Sequence, residues 1–156
     1  MDASGRPVAT GLLVYRYRTN VYHVALPIAP EDAYVEEKVA AVVGLPHATD
    51  AVRVTLVHVA ESGTDVASVP AVADALAQFD AADVAAETVR GEGRPSEALL
   101  EAAAERDADC ICVAGRDRSP AGKRQLTPGS QQILLTADRP VLVAGSVEAD
   151  RGADHV

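Results

Sequence analysis

From residue 21 onward, short apolar segments alternate with longer segments whose apolar residues recur at helical spacing, and this alternation constrains the fold most strongly. The apolar segments predict five strands, at residues 21–28, 52–59, 83–90, 108–114 and 140–144. The segments between them predict four helices, which begin near Pro30, Pro70, Pro95 and Gly129. Because right-handed crossovers join parallel strands in this order, we expect a single open five-stranded parallel sheet with helices on both faces, a Rossmann-like α/β fold.

Each predicted helix carries an apolar stripe that would pack on the sheet. The stripes are Val35, Val39 and Val42 in the first helix, Val72, Leu76 and Phe79 in the second, Leu99, Leu100 and Ala103 in the third, and Ile133, Leu134 and Ala137 in the fourth. Ligands of open parallel sheets bind beyond the carboxyl ends of the strands, where the strand order reverses. In this chain that edge lies near residues 27–29, Val59 and Gly115, so we expect a binding site there.

The charge balance excludes several classes of partner. The formal net charge is −9, and the two lysines are Lys38 and Lys123. A surface this acidic has no basic stripe to neutralise a phosphate backbone, so we expect no nucleic-acid partner. No apolar run approaches the roughly 18 residues of a membrane span and no signal sequence is evident, so we expect a cytoplasmic protein without a membrane partner. The acidic, lysine-poor, alanine-rich composition favours a salt-loving cytosol, where salt screens self-repulsion.

Neither the cysteines nor the histidines predict a metal site. Cys110 and Cys112 lie two residues apart in a predicted strand, so both thiols should be buried on one face of the sheet. The four histidines are scattered, whereas a zinc site needs about four clustered ligands. We expect no metal other than a magnesium ion that accompanies a nucleotide. We expect His58, near the end of a strand, to be packed with its ring hydrogen-bonded.

The segment with the most candidate ligand-binding residues is a polar loop predicted at residues 116–128. Its four cations, in an otherwise acidic chain, are Arg116, Arg118, Lys123 and Arg124. The loop leads into Gly129 and Ser130 at the predicted start of the fourth helix, where free backbone N–H groups and the helix dipole attract anions. Residue chemistry alone leaves two interpretations open: an anion-binding loop, or a solvated basic loop before an ordinary helix start.

Several short motifs stand in order along the chain. They are Val24-Ala25-Leu26-Pro27, Leu56-Val57-His58-Val59, the stretch from Ala108 to Gly115, the Gly129-Ser130 pair, and Asp138-Arg139-Pro140-Val141-Leu142-Val143. Their order and spacing resemble the universal stress protein family over residues 21 to about 145. The acidity and the stretch from Arg118 to Lys123 are most similar to haloarchaeal members. The resemblance implies the strand order 3-2-1-4-5 and a homodimer formed through the last strand, at Val141 and Val143.

For one branch of this family, the resemblance also implies ATP or AMP bound at the strand ends. The implied residues are Pro27, Ile28, Ala29 and Val59 on the base side, and Ala114, Gly115, Gly129, Ser130 and Gln131 on the phosphate side. From the cations of the loop we expect Arg116 or Arg118 to close over the phosphates. Two positions depart from the family pattern. Ala29 stands where an aspartate would accept a ribose hydroxyl, and Arg118 replaces the second glycine of the phosphate motif, with ten residues rather than nine before Gly129. The site is therefore degenerate, and we expect weak nucleotide binding.

No set of residues in the sequence predicts catalysis, so we expect a non-enzymatic stress-response protein for which ATP hydrolysis is not predicted. Two alternatives remain open. One is a nucleotide-independent dimeric interaction module of the same fold. The other, less favoured, is an adenine-nucleotide-dependent transferase, which needs a phosphate motif after the first strand that the sequence lacks. We expect an N-terminal extension at residues 1–20 that is either a strand or loose, a universal stress protein domain at 21–146, and an acidic tail at 147–156.

Overall fold

A computed structural model describes residues 21–118 and 124–145, with the backbone path alone for residues 116–118 and 124. Its elements in chain order are β1 (Tyr22–Pro27), α1 (Val35–Val43), α2 (Ala48–Ala51), β2 (Val52–Val59), α3 (Pro70–Ala81), β3 (Ala85–Gly91), α4 (Pro95–Glu105), β4 (Cys110–Arg118), β5 (Arg124–Leu126), α5 (Pro128–Thr136) and β6 (Val141–Ala144). A short 3-10 turn at Val66–Ser68 precedes α3. None of the helices in these described ranges is both long and apolar enough to cross a membrane.

The strands form a mostly parallel open sheet. Five parallel strands lie in the order β3-β2-β1-β4-β6, and the short β5 pairs antiparallel with the far end of β4. This arrangement confirms the expected α/β fold and the order 3-2-1-4-5, with β6 as the fifth parallel strand. Because the chain crosses from β3 to β4 on the other side of β1, the strand order reverses between β1 and β4.

The alternation of side chains along the strands divides the core into two layers. Val24 and Leu26 of β1 face one layer with α1 and α3, whereas Ala25 faces the other layer with α4 and α5. Both cysteines lie in the first layer, on one face of β4 as the sequence predicts, and both are free thiols. Burial raises the pKa of the Cys112 thiol to about 12, so this sulfur is a neutral packing group at neutral pH.

The prediction of a polar loop at residues 116–128 is partly wrong. Gly115 does not end the strand: β4 continues to Arg118, and Gly115 pairs with Leu126 of β5. The loop prediction at residues 119–123 lies outside the described residues. A hairpin-like extension of this kind depends on pairing between two polar segments, which hydrophobic periodicity does not detect.

Two helix boundaries and one helix face also differ from the sequence analysis. The first helix begins at Val35 rather than near Pro30, because the Asp32 carboxylate accepts hydrogen bonds from nearby backbone N–H groups and holds the preceding residues in turns. The last helix begins at Pro128, one residue before the predicted start. In that helix Ile133 is buried, but Leu134 is exposed.

The predictions for residues 1–20 and for the tail at 147–156 fall outside the described residues. The domain boundaries therefore stay predictions.

Candidate functional site

A cavity of about 520 Å³ opens at the carboxyl ends of β1, β2 and β4, where the strand order reverses. The β1–α1 connection forms one wall, and the N-terminal turns of α4 and α5 form the other. Most of the lining is apolar, including Ile28, Val59 and Ile133, with a few polar groups between. Cavities of this size and composition, at this position of a parallel sheet, are typical small-molecule sites.

The structure brings most of the sequence-predicted site residues to this cavity. Those that line it are Pro27, Ile28, Ala29, Val59, Ala114, Gly129 and Ser130. Gly115 is buried at the antiparallel pairing with β5, and Gln131 is exposed, with its side-chain amide 3.5 Å from the Leu126 carbonyl oxygen. The side chains of Arg116 and Arg118 lie outside the described part of the chain.

A buried ion pair lines the cavity beneath the β1–α1 connection. The Nζ of Lys38 donates to Asp32 Oδ2 over 2.7 Å and to the Pro27 carbonyl oxygen over 2.6 Å. The two charged side chains are only 5% and 4% exposed. Asp32 also accepts from the backbone N–H groups of Ala29 and Tyr34, so both of its oxygens are engaged. The Asp32 carboxylate is therefore occupied in holding the loop, and Ala29 offers no carboxylate.

Sequence analysis missed Lys38 as a site residue. Its position carried a usable signal, because it lies three residues after Val35 and four before Val42, on the apolar stripe of α1. A lysine on such a stripe is buried only when it finds a partner. The partner was the acidic loop residue Asp32, six positions earlier.

His58 lies in β2, lines the cavity and is 4% exposed. Its Nδ1 is 2.7 Å from the Ile28 carbonyl oxygen. Because a carbonyl only accepts, Nδ1 carries the proton, and in the neutral ring Nε2 is left with a lone pair. Nε2 has no hydrogen-bond partner among the described residues. The ring is packed as the sequence predicts, and within the described ranges only Nδ1 has a hydrogen-bond partner.

The N-terminus of α5 differs from the sequence-based expectation. Thr127 caps the helix, since its Oγ1 accepts from the Ser130 N–H at 3.1 Å. The Ser130 hydroxyl is buried, donates to the Ala114 carbonyl oxygen at 2.9 Å and accepts from the Thr127 hydroxyl at 3.0 Å. Ser130 therefore joins α5 to β4 and holds no free donor for a ligand.

Gly129 supplies the donor that remains at this helix end. Its N–H has no partner among the described residues, and Pro128 before it has no N–H at all. Gly129 lines the cavity, and a Cβ added there would meet no atom within 4 Å. The helix dipole and this N–H make the Gly129 end of the cavity attractive to an anion.

Catalytic chemistry finds no support among the described lining residues. The Ser130 hydroxyl donates to a carbonyl rather than to a base, and Lys38 is held in an ion pair. In the described ranges, no three His, Cys, Asp or Glu side chains cluster as metal ligands would.

Comparisons with known proteins identify what this chain resembles. The model of the universal stress protein family matches residues 42–145. A universal stress protein from Archaeoglobus fulgidus in complex with dAMP has a TM-score of 0.62 and 16% identity, covering 81% of this chain and 99% of that one. A universal stress protein family protein from Arabidopsis thaliana with AMP bound has a TM-score of 0.59 and 13% identity, and the match covers 82% of this chain and 94% of that one. A protein from the universal stress protein family of Burkholderia pseudomallei has a TM-score of 0.50 and 24% identity, and the match covers 78% of this chain and 96% of that one. A search of curated proteins gave no match.

Proposed function

The chain belongs to the universal stress protein family, and from that premise we propose that it is a non-enzymatic stress-response protein that binds an adenine nucleotide weakly. The observation that carries this proposal is the cavity at the point where the strand order reverses, whose lining includes residues expected on the base side and residues expected on the phosphate side. Structural neighbours with the same fold hold dAMP, AMP or cAMP. A magnesium ion would enter only as the companion of a nucleotide.

In this proposal the base and ribose occupy the part of the cavity near Ile28 and Val59, and the phosphates lie against the N-terminus of α5 at Gly129. Binding is weak because Ala29 offers no carboxylate to a ribose hydroxyl and Asp32 is already engaged. A charge-assisted hydrogen bond is worth about 1.5–3 kcal/mol, so its loss lowers affinity roughly ten- to hundredfold.

Isothermal titration calorimetry with AMP and ATP tests the proposal, and mass spectrometry of ligand released from freshly purified, denatured protein supports it independently. We expect saturable binding in the high-micromolar to millimolar range. Absence of heat at millimolar nucleotide, together with no released nucleotide, would instead favour a nucleotide-independent interaction module.

Gly129→Ala is expected to weaken ATP binding about tenfold while leaving the free energy of unfolding unchanged or slightly higher. The new methyl group meets no protein atom, but it hinders close approach of a phosphate to the backbone N–H. Gly145→Ala is the matched control, because its added methyl also meets nothing and Gly145 follows β6 instead of lining the cavity. Equal ATP affinity of both variants and the wild type would place the phosphates elsewhere.

We also propose a homodimer formed through β6. Among the described strands, β6 pairs only with β4, which leaves one of its edges open. Val141 packs partly against α4 and α5, and Val143, on the same face, is 39% exposed. Open apolar edges of this kind are normally covered or paired.

The dimer is tested by light scattering, which should give about twice the chain mass of 16.2 kDa. Val143→Lys should give the monomer mass, because a charged edge residue opposes strand pairing. Tyr22→Lys is the control, since Tyr22 is also 39% exposed but lies at the start of the central β1. A monomer mass for the wild type at every practical concentration would contradict the proposal.

Stability is expected to depend on salt, as in a halophilic protein. At a net charge of −9 the folded chain repels itself, and the screening length grows from about 3 Å in 1 M salt to about 30 Å in 0.01 M salt. The melting temperature should therefore fall on dialysis into low salt at constant pH. The same melting temperature in both buffers would count against adaptation to high salt.

A further inference from the structure

His58 is one of the polar residues that line the cavity. The imidazole is 4% exposed, lines the cavity, and belongs to the strand that ends at Val59. Its Nδ1 is committed to the Ile28 carbonyl oxygen at 2.7 Å, so that contact orients the ring and fixes the tautomer. Nε2 is left without a protein partner in the described ranges. A buried polar atom in this state is satisfied by a ligand or by water.

We infer that His58 selects the purine base, by accepting a hydrogen bond at Nε2 from the amino group at the six-position. The inference rests on the proposed function, because it assumes that a nucleotide base enters this end of the cavity. Other buried polar groups of the lining are engaged within the protein: Lys38 with Asp32, and Ser130 with Ala114. His58 is thus a specificity-determining residue for the bound nucleotide.

The chemistry distinguishes amino purines from oxo purines. Adenine carries an amino group at position six and donates there, whereas hypoxanthine and guanine carry a carbonyl oxygen at that position. A neutral His58 with the proton on Nδ1 presents only a lone pair, so a carbonyl oxygen opposite it leaves two acceptors facing each other. A site built to hydrogen-bond one group rejects the analogue that lacks it. We expect AMP to bind at least tenfold more tightly than IMP.

Two variants separate the roles of the two ring nitrogens. In His58→Asn the side-chain amide can still donate to the Ile28 carbonyl, as Nδ1 does, but nothing remains at the position of Nε2. In His58→Gln a polar group remains near the position of Nε2, and the contact with Ile28 is lost. If His58 had only a structural role, His58→Gln would lower the free energy of unfolding more than His58→Asn. The ratio of AMP affinity to IMP affinity would then be the same in both variants as in the wild type.

The experiment is calorimetric titration of AMP and IMP into the wild type, His58→Asn and His58→Gln, with urea unfolding of each protein. We expect His58→Asn to lower the affinity for AMP about tenfold and to leave the affinity for IMP unchanged, so that the ratio of the two affinities is close to one. We expect His58→Gln to bind AMP more tightly than IMP. In parallel, nitrogen NMR of wild-type protein labelled at histidine should show the Nε2 resonance of His58 shifting with AMP and not with IMP, which requires no variant to fold.

Three results overturn the inference in distinguishable ways. If the wild type binds AMP and IMP with equal affinity, the base is not selected and the proposed function stands. If the ratio persists in a folded His58→Asn protein, or the Nε2 resonance does not respond to AMP, another group selects the base. If neither nucleotide binds the wild type at millimolar concentration, the proposed function itself fails.

Discussion

Replacing Lys38 by methionine is expected to lower the free energy of unfolding by about 3–5 kcal/mol, the range for breaking one partner of a buried ion pair. The two side chains are 5% and 4% exposed, so water cannot replace the missing ammonium. Asp32 would keep only its two backbone N–H donors, and the Pro27 carbonyl would lose the donor it has at 2.6 Å. Urea denaturation of the purified variant measures the loss.

The control is the double variant Lys38→Met with Asp32→Asn, which removes both charges. Because replacing a whole buried pair costs far less than removing one partner, it should regain more than half of the lost stability. Asp32→Asn alone should be destabilising, since it leaves the Lys38 ammonium buried beside a neutral amide. If Lys38→Met unfolds at the wild-type urea concentration, the pair is not important for stability.

Phe79→Ala is expected to cost a similar 3–5 kcal/mol by opening a cavity in the layer between the sheet and α3. Phe79 is the one phenylalanine of the chain and is fully buried. It belongs to the larger apolar cluster, and its carbonyl oxygen accepts from the Val84 N–H where the chain turns into β3. Alanine has a high helix propensity, so the loss reports packing rather than helix formation.

Leu76→Ala is the matched control for Phe79→Ala. Leu76 lies on the same helix and is only partly buried, so its truncation should cost less than half as much. Equal losses for the two variants in urea denaturation would show that the burial of Phe79 does not set the loss. Titration of both variants with AMP should leave affinity unchanged, because neither residue lines the cavity.

The sequence by itself determined the fold class and the edge of the sheet at which the cavity lies. Apolar strands and helix stripes are local patterns with fixed periods, so the alternation of strands and helices and the parallel sheet could be predicted from them, whereas the strand order was implied by the resemblance to the family. The place of the cavity followed from the same argument, because a parallel sheet with this connectivity has one point where the strand order reverses. Residues 27–29 and Val59 were expected there for this reason, and Gly129 because it begins a helix after a cationic loop; all of them line one cavity.

Only the tertiary structure decided what the polar groups of that site do. The His58 ring meets the Ile28 carbonyl across 30 residues, and the Ser130 hydroxyl meets the Ala114 carbonyl across 16. Lys38 lies on the apolar stripe of α1, but its burial depends on Asp32. Each hydrogen-bonding group has several partners that are chemically equivalent in the sequence, and only distance and direction in the folded chain choose among them. Hydrophobic burial depends on patterns that repeat along the chain, whereas a hydrogen bond depends on where two particular atoms finally lie.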